Sequence, residues 1–441
     1  MSDKSDNHFG IHAKWIYTAN SKQELLEDHI LLIKDDFIEE IVPFKSFSND
    51  EDLNILNLGG ESLITPGLIN AHTHSAMTFL KGISDDQRLN DWLEKSIWPS
   101  EAKLLSHDLV FDASQLACLE MLSSGITTFN DMYFFPDATA KAATVVGMRA
   151  NIGLVFIEFK SGYANDFTDY LDKGLKFRDD FRGEENITTA LSPHAPYTVS
   201  DDSFLKIRTY ADQLGINIHC HIHETDWEIK NSIEQHNVRP LTRLDSLGLL
   251  GPDFIAVHCV HLDSSDLEII KKNQINIVSC PVSNLKLASG IPKINTMINS
   301  AQNVAIGTDG SASNNKLSLF DDLKLSALLQ RCEIDVKEFL NSKNLFDMAT
   351  INAAKTLNMQ DQIGSIEKQK KADLVSFNLS DIHLQPIYDP LSTLIYSGGR
   401  DNVQHVWVNG NLKYSNKEFI NDIDVEKSIN KIKLWKNKIS T

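Results

Sequence analysis

The sequence predicts an α/β protein, a closed (β/α)8 barrel carrying a small β-sandwich assembled from both ends of the chain. Three observations predict it. Across 66–368, eight apolar strand candidates alternate with amphipathic helical stretches, the pattern of a parallel sheet with crossover helices. Short alternating apolar segments fill 1–65 and return in 369–441. Histidines and acids recur at the carboxyl ends of the strand candidates, where barrel enzymes build their sites.

The elements follow in order. Apolar segments at 14–17, 30–33 and 37–42, separated by polar turns, give the N-terminal part of the β-sandwich. After Thr65-Pro66-Gly67 come strand candidates at 68–74, 127–132, 149–156, 187–193, 216–221, 254–259, 275–280 and 304–309. Eight parallel strands suit a closed barrel, although an open sheet has the same pattern. A helical stretch at 345–357 ends this region. Strand-like runs return at 373–377 and 403–409, with Asn409-Gly410 as a turn signal, and assign 369–441 to the C-terminal part of the sandwich.

Composition narrows the function. A chain of 441 residues with 42% hydrophobic residues is an ordinary globular protein with room for a barrel and an appendage. The first residues are polar and no apolar run could cross a bilayer, so neither secretion nor membrane insertion is expected. Five cysteines, Cys118, Cys220, Cys259, Cys280 and Cys332, stand singly, as reduced thiols of a cytoplasmic protein do. A net charge of −18 opposes binding to nucleic acid and points to a small-molecule substrate. Oligomeric state is left open, with a homo-oligomer compatible.

The chemistry begins at His72-Thr73-His74. Alternate residues of a strand share a face, so both imidazoles point the same way, an arrangement suited to Zn²⁺. A lone pair of this kind is more often a pair of surface or core histidines; the further segments change that balance. Near 216–224, His219, His221 and His223 share a face if the strand persists, and spacing alone does not choose among them. Glu224 follows, either a proton donor beside a metal or a solvated loop charge. His258 ends another strand, placed to hold a nucleophilic hydroxide, with His261 outside the ligand set. Asp309 closes the apolar run 304–307; a carboxylate there is costly to bury unless it is paired or bound to a cation, the alternative being a turn or cap aspartate.

Taken together, Pro66-Gly67-Leu68-Ile69-Asn70-Ala71-His72-Thr73-His74, Trp98-Pro99-Ser100-Glu101, Pro193-His194-Ala195-Pro196-Tyr197, His221-Ile222-His223-Glu224-Thr225, Ala256-Val257-His258-Cys259, Ser283-Asn284-Leu285-Lys286-Leu287 and Gly307-Thr308-Asp309-Gly310 carry a resemblance over nearly the whole chain. The sequence resembles the amidohydrolase superfamily and, within it, the 5-methylthioadenosine/S-adenosylhomocysteine deaminases. The resemblance implies one Zn²⁺ per subunit held by His72, His74, His221 and Asp309, with Asp309 also the base for the attacking water. It selects His221 over His223 by the spacing to Glu224, which would protonate purine N1 while water adds at C6 and ammonia leaves. It further implies that Glu101 binds the ribose hydroxyls and that His194 contacts the nucleoside; the plain alternative for Glu101 is a solvent-facing charge. Members that use S-adenosylhomocysteine well resemble one another in carrying arginines beyond the third strand. Here the corresponding run, 151–159, has none, which favours 5'-methylthioadenosine. Competing expectations are hydrolysis of another aromatic heterocycle, such as a guanine, a pterin or an s-triazine, and a silent amidohydrolase-like assembly protein.

Overall fold

The computed structural model describes residues 8–49, 53–301, 303–333, 338–420 and 422–440. Eight parallel strands form a nearly closed barrel in chain order: Leu68–Thr73, Ile126–Tyr133, Arg149–Phe156, Ile187–Pro193, Ile218–Ile222, Phe254–His258, Asn276–Ser279 and Asn303–Ile306. All eight expected strands are present, with ends shifted by up to three residues. The seam lies between the last strand and the first. There the Asp309 amide donates to the His72 carbonyl at 3.1 Å, and Asn70 exchanges hydrogen bonds with Thr308. Gly307 makes this approach feasible: a Cβ there would lie 2.8 Å from the backbone nitrogen and oxygen of His72. This close approach at the seam thus fixes how near Asp309 comes to the histidines.

Helices cover the outside of the barrel, and their starts are set by local chemistry. Ser106, Asp166, Ser200, Thr225 and Asp263 each accept an amide hydrogen bond at a helix N-terminus. Thr225 matters most for function, because it starts the helix Asp226–His236 directly after Glu224 and keeps that connection short.

The two chain ends meet in a nine-stranded mixed sheet. Ser62–Pro66 pairs in parallel with His8–Tyr17 and antiparallel with Leu374–Asn378, so the junction is made by strands from opposite ends. A buried ion pair links this sheet to the barrel. Arg149, on the third barrel strand, reaches Asp373 at 3.3 Å and the side-chain Oδ1 of Asn409 at 2.5 Å, while the Asn409 backbone N–H donates to Asp373. The sequence reading assigns all of 369–441 to β structure, and here the structure differs. Strands end at Phe419, and Val425–Ser440 is a helix. Its apolar residues Ile432, Trp435 and Ile439 recur at helical spacing and pack with Leu109, Val110 and Ala113 of the barrel helix His107–Ser123. Asp112 fastens them together, accepting from Trp435 Nε1 at 3.0 Å and pairing with Lys431 at 2.6 Å.

The four cysteines 118, 220, 259 and 280 are buried and unpaired, and Cys332 is exposed. Among the described residues, no helix is long and apolar enough to cross a membrane.

Candidate active site

His72, His74, His221 and Asp309 converge at the carboxyl end of the barrel, each offering one ligand atom, all within 4.8 Å of one another. Their orientation comes from what holds the opposite side of each ring. His74 donates from Nδ1 to the Met132 carbonyl at 2.5 Å, and His221 donates from Nδ1 to the His194 carbonyl at 2.6 Å. In the neutral form of each ring this leaves Nε2 unprotonated and facing inward. His221 Nε2 lies 3.2 Å from His72 Nε2 and 3.3 Å from His74 Nε2. Lone pairs facing one another at these distances repel, and a cation between them turns the repulsion into coordination. Asp309 Oδ1 completes the set, 3.4 Å from His72 Nε2 and 3.2 Å from His74 Nε2.

Electrostatics agree with a cation site. Burial pushes His72 down to about 4 and His221 well below the usual imidazole range, so both are neutral near pH 7. Burial works against the Asp309 carboxylate, yet hydrogen bonds and charge from His72 and His74 hold it ionised, well below the usual range. Desolvation also opposes protonation of His74, but Asp309 outweighs it and holds that ring up at about 9. A divalent ion would take the place of that proton. Three nitrogens and one carboxylate oxygen are a donor set that fits Zn²⁺.

The remaining histidines separate by their partners. His219 is fully buried beneath the cluster, with Nε2 2.9 Å from His72 Nδ1, and supports that ring from behind. His223 has turned away: its Nε2 accepts from the Leu241 amide at 3.1 Å and its Nδ1 donates to the His261 carbonyl at 3.1 Å. Its backbone adopts φ 55°, ending the strand alternation on which a shared face depended. His261 lies outside the cluster and bonds through Nε2 to the Ser289 carbonyl at 2.6 Å.

Glu224 is set beside the cluster by Glu228, one helical turn on. The Glu228 carboxylate accepts from the backbone amides of both His223 and Glu224 at 2.9 Å. Burial first, then the charges of Asp309 and Glu228, raise the Glu224 carboxyl well above its ordinary value, which favours its proton-bearing form. Its Oε1 accepts from Ser289 Oγ at 3.3 Å, and its Oε2 lies 3.7 Å from His258 Nε2. His258 ends the sixth barrel strand at φ 76° and stacks on His221, with ring centroids 5.4 Å apart. Burial holds it down at about 3.

A cavity of about 350 Å³ opens from this floor. Glu101, His194, Tyr197, Val155, Ile157 and Phe159 line it, and Trp92, Leu93, Ile97 and Trp98 form an apolar cover on the helical segments Leu89–Trp92, Leu93–Ile97 and Trp98–Leu104. Glu101 is buried rather than solvent-facing. It accepts a 2.6 Å hydrogen bond from the Tyr133 hydroxyl, and burial pushes its carboxyl up to about 7. His194 also lines the cavity, with Nδ1 3.1 Å from Thr198 Oγ1, and burial lowers it to about 3.

Sequence reasoning missed several residues here. Tyr133 is one, because the second strand runs one residue past the expected Met132 and carries the hydroxyl into the cavity wall. Lys160 is another: it directly follows the apolar run, is exposed, and lines the mouth of the cavity. Ser283 and Ser313 each donate to Asp309 Oδ2, at 2.6 and 2.9 Å. Only Ser283 lies in a motif that the sequence reading singled out.

An amidohydrolase family model matches residues 63–413. Over its full length the chain is 39% identical to a 5-methylthioadenosine/S-adenosylhomocysteine deaminase of Saccharophagus degradans, covering 98% of that protein. It is 38% identical to a 5'-deoxyadenosine deaminase of Methanosarcina barkeri over 90% of both chains. A solved adenosine deaminase of Xanthomonas campestris with bound zinc superposes with a TM-score of 0.93 at 36% identity, covering 98% of each chain. Fold, converging ligands and relatives agree, and the chain belongs to the amidohydrolase family and, within it, to the 5-methylthioadenosine/S-adenosylhomocysteine deaminases.

Proposed function

We propose that this protein is a zinc-dependent hydrolase that deaminates an adenine nucleoside at C6. The preferred substrate is 5'-methylthioadenosine, converted to 5'-methylthioinosine and ammonia, with S-adenosylhomocysteine and adenosine as further substrates. The observation that carries this reading is the placement of Glu224, a buried carboxyl held well above its ordinary value, beside the His72, His74, His221 and Asp309 cluster, with the buried Glu101 in the wall of the same cavity. Ring chemistry at one end and a diol acceptor at the other suit a nucleoside.

His72, His74, His221 and Asp309 would hold the ion, which when bound supplies a Lewis acid able to bring the pKa of water to about 7. The protein's own groups do the rest. Asp309 takes the proton of the attacking water, and Ser283 and Ser313 hold its orientation by donating to Oδ2. His258 holds the attacking oxygen in line with C6. Glu224 delivers its proton to N1 as the C6–O bond forms, which places the electron pair on nitrogen instead of on an anionic ring. Asp309 then passes the proton it took from water to the amino group, the C6–N bond breaks to release ammonia, and the remaining hydroxyl proton returns to Glu224 as the C6 carbonyl forms. Glu101 accepts from the ribose hydroxyls, and His194 contacts the nucleoside.

The test is a kinetic comparison of 5'-methylthioadenosine, S-adenosylhomocysteine, adenosine and guanine with the zinc-loaded protein. Release of ammonia from the nucleosides with conversion to the inosine product is expected. Activity confined to guanine would overturn the reading.

A further inference from the structure

The segment after the seventh barrel strand contributes no metal ligand, yet its side chains reach all three groups assigned to proton transfer and water placement. Ser283 donates to Asp309 Oδ2 at 2.6 Å, the Asn284 amide nitrogen lies 3.0 Å from His258 Nδ1, and Ser289 donates to Glu224 Oε1 at 3.3 Å. We propose that Ser283, Asn284 and Ser289 form one positioning clamp for the deamination, fixing the orientation of Asp309, the tautomer of His258 and the rotamer of Glu224 together. This rests on the deaminase reading above.

Backbone geometry explains how a single short segment serves three strand ends. The helix Pro281–Lys286 begins directly at the end of the strand, placing Ser283 and Asn284 in its first turn. The chain then reverses through Ala288 at φ 52°, and the Ser289 amide returns to the Asn284 carbonyl at 2.8 Å. His261 anchors the far end by its bond to the Ser289 carbonyl. Gly290 permits this contact, since a Cβ there would lie 2.7 Å from Val260 and 3.2 Å from His261 Nε2.

Asn284 gives the clamp its chemical content. An amide NH₂ only donates, so His258 Nδ1 accepts and Nε2 carries the ring proton. That N–H faces the Glu224 side, where the attacking oxygen would sit. Asn284 is fully buried, its Oδ1 has no partner among the described residues, and its amide nitrogen is spent on His258. Burying an amide for one contact is unfavourable unless that contact serves another end.

The experiment compares Asn284→Ala, Asn284→Asp, Ser289→Ala and Ser289→Thr in the zinc-loaded protein. Readouts are kcat and KM for 5'-methylthioadenosine, zinc content, and affinity for two ligands: the inosine-type product, and a nucleoside bearing a tetrahedral, hydroxylated carbon in place of C6. Asn284→Ala should lower kcat by about tenfold to hundredfold with KM within about threefold, the scale of one hydrogen bond to a charged or reacting group. Affinity for the tetrahedral mimic should fall by a similar factor, with product affinity and zinc content unchanged. Asn284→Asp, although the same shape, should be no better than Asn284→Ala, because a carboxylate draws the proton to Nδ1 and leaves Nε2 bare. Ser289→Thr keeps the hydroxyl and should retain activity that Ser289→Ala loses. Wild-type kcat in Asn284→Asp would overturn the clamp, as would equal loss of affinity for product and mimic. Should the Asn284 variants not fold, the two Ser289 variants decide, since the bond to His261 uses the backbone. A wild-type chain that does not deaminate adenine nucleosides removes the underlying reading; a wild-type chain that does, with indifferent variants, removes the clamp alone.

Discussion

At the floor of the cavity His72, His221, His258, Glu224 and Asp309 are each under a tenth exposed, and each is held from behind by a named partner: His219, the His194 carbonyl, Asn284, Ser289 and Ser283. At the mouth, Trp98 and Phe159 are 39% and 47% exposed and meet edge to face, their ring centroids 6.4 Å apart. Lys160 beside them is exposed as well. The floor is a connected polar network in which changing one member leaves another buried and unpaired. The mouth is an assembly of contacts with solvent on one side, where one residue can replace another at small cost. Reaction chemistry is therefore rigidly specified, while the mouth, where we propose that the 5' substituent is recognised, tolerates substitution.

The floor can be tested most severely by emptying it. Prolonged treatment with a strong chelator should remove one zinc per chain and reduce turnover to background, and added zinc should restore both. Elemental analysis alongside the rate measurement checks this; full activity in a metal-free sample would sink the assignment. Next in size is Glu224→Gln, which preserves shape but has no proton to give. It should retain zinc and lose about 10²-fold to 10⁴-fold in kcat. Near wild-type turnover in that variant would mean that another group protonates the ring.

How these two regions differ also explains what could be read from the sequence. Barrel strands were legible because they are buried on both faces and show as continuous apolar runs, and the ligands were legible because strand spacing fixes His72 and His74. His223 was ambiguous because alternation holds only while the strand lasts, and the left-handed backbone at that residue breaks it. The partners behind each ligand were hidden for a different reason. Ser289 and Ser313 are ordinary residues whose significance arises only when segments distant in sequence are closed against one another, and Ser283 and His219, although in segments the sequence reading named, were given no supporting role. The terminal helix was missed because its apolar stripe was read beside strands instead of by its own spacing. Lys160 was passed over since exposure of a side chain at a loop is not encoded in its neighbours.

Between floor and mouth stands Glu101, buried like the first region but facing the substrate like the second. Glu101→Ala should reduce kcat/KM by about tenfold to hundredfold for every nucleoside, since each loses the same charge-assisted contact, while leaving zinc content unchanged. Burial holds its carboxyl up at about 7. Below that pH the carboxyl gains a proton and ceases to be an anionic acceptor, so KM should rise as pH falls through about 7, and Glu101→Gln should abolish the rise. A smaller loss is expected for Tyr133→Phe, which removes the 2.6 Å bond orienting Glu101 without removing the acceptor. Loss restricted to one nucleoside in either variant would place Glu101 away from the ribose.

The smallest effect belongs to the mouth, and its size decides substrate preference. Lys160, exposed at the cavity mouth, supplies a cation that the arginine-free run before it lacks, and we propose it as a partner for the carboxylate of S-adenosylhomocysteine. An exposed ion pair contributes about 0 to 1 kcal/mol, because water screens it and a flexible side chain must be ordered, whereas a desolvated charge-assisted contact contributes about 1.5 to 3 kcal/mol. The apolar faces of Val155, Ile157 and Phe159 meanwhile suit a methylthio group, whose sulfur gains from aromatic contact. We therefore expect kcat/KM for 5'-methylthioadenosine to exceed that for S-adenosylhomocysteine by about tenfold, the difference between one such desolvated contact and an exposed pair. Lys160→Ala should then lower S-adenosylhomocysteine use by no more than about fivefold and leave 5'-methylthioadenosine unchanged. Replacing Ile157 by Arg, inside the cavity wall, should improve S-adenosylhomocysteine more than Lys160 ever did, because the charge would stand where solvent is excluded. Paired kinetics on both substrates measure all three proteins. If Lys160→Ala instead abolished S-adenosylhomocysteine turnover, the mouth would be closed and dry with substrate bound, and its contrast with the floor would hold only for the empty cavity.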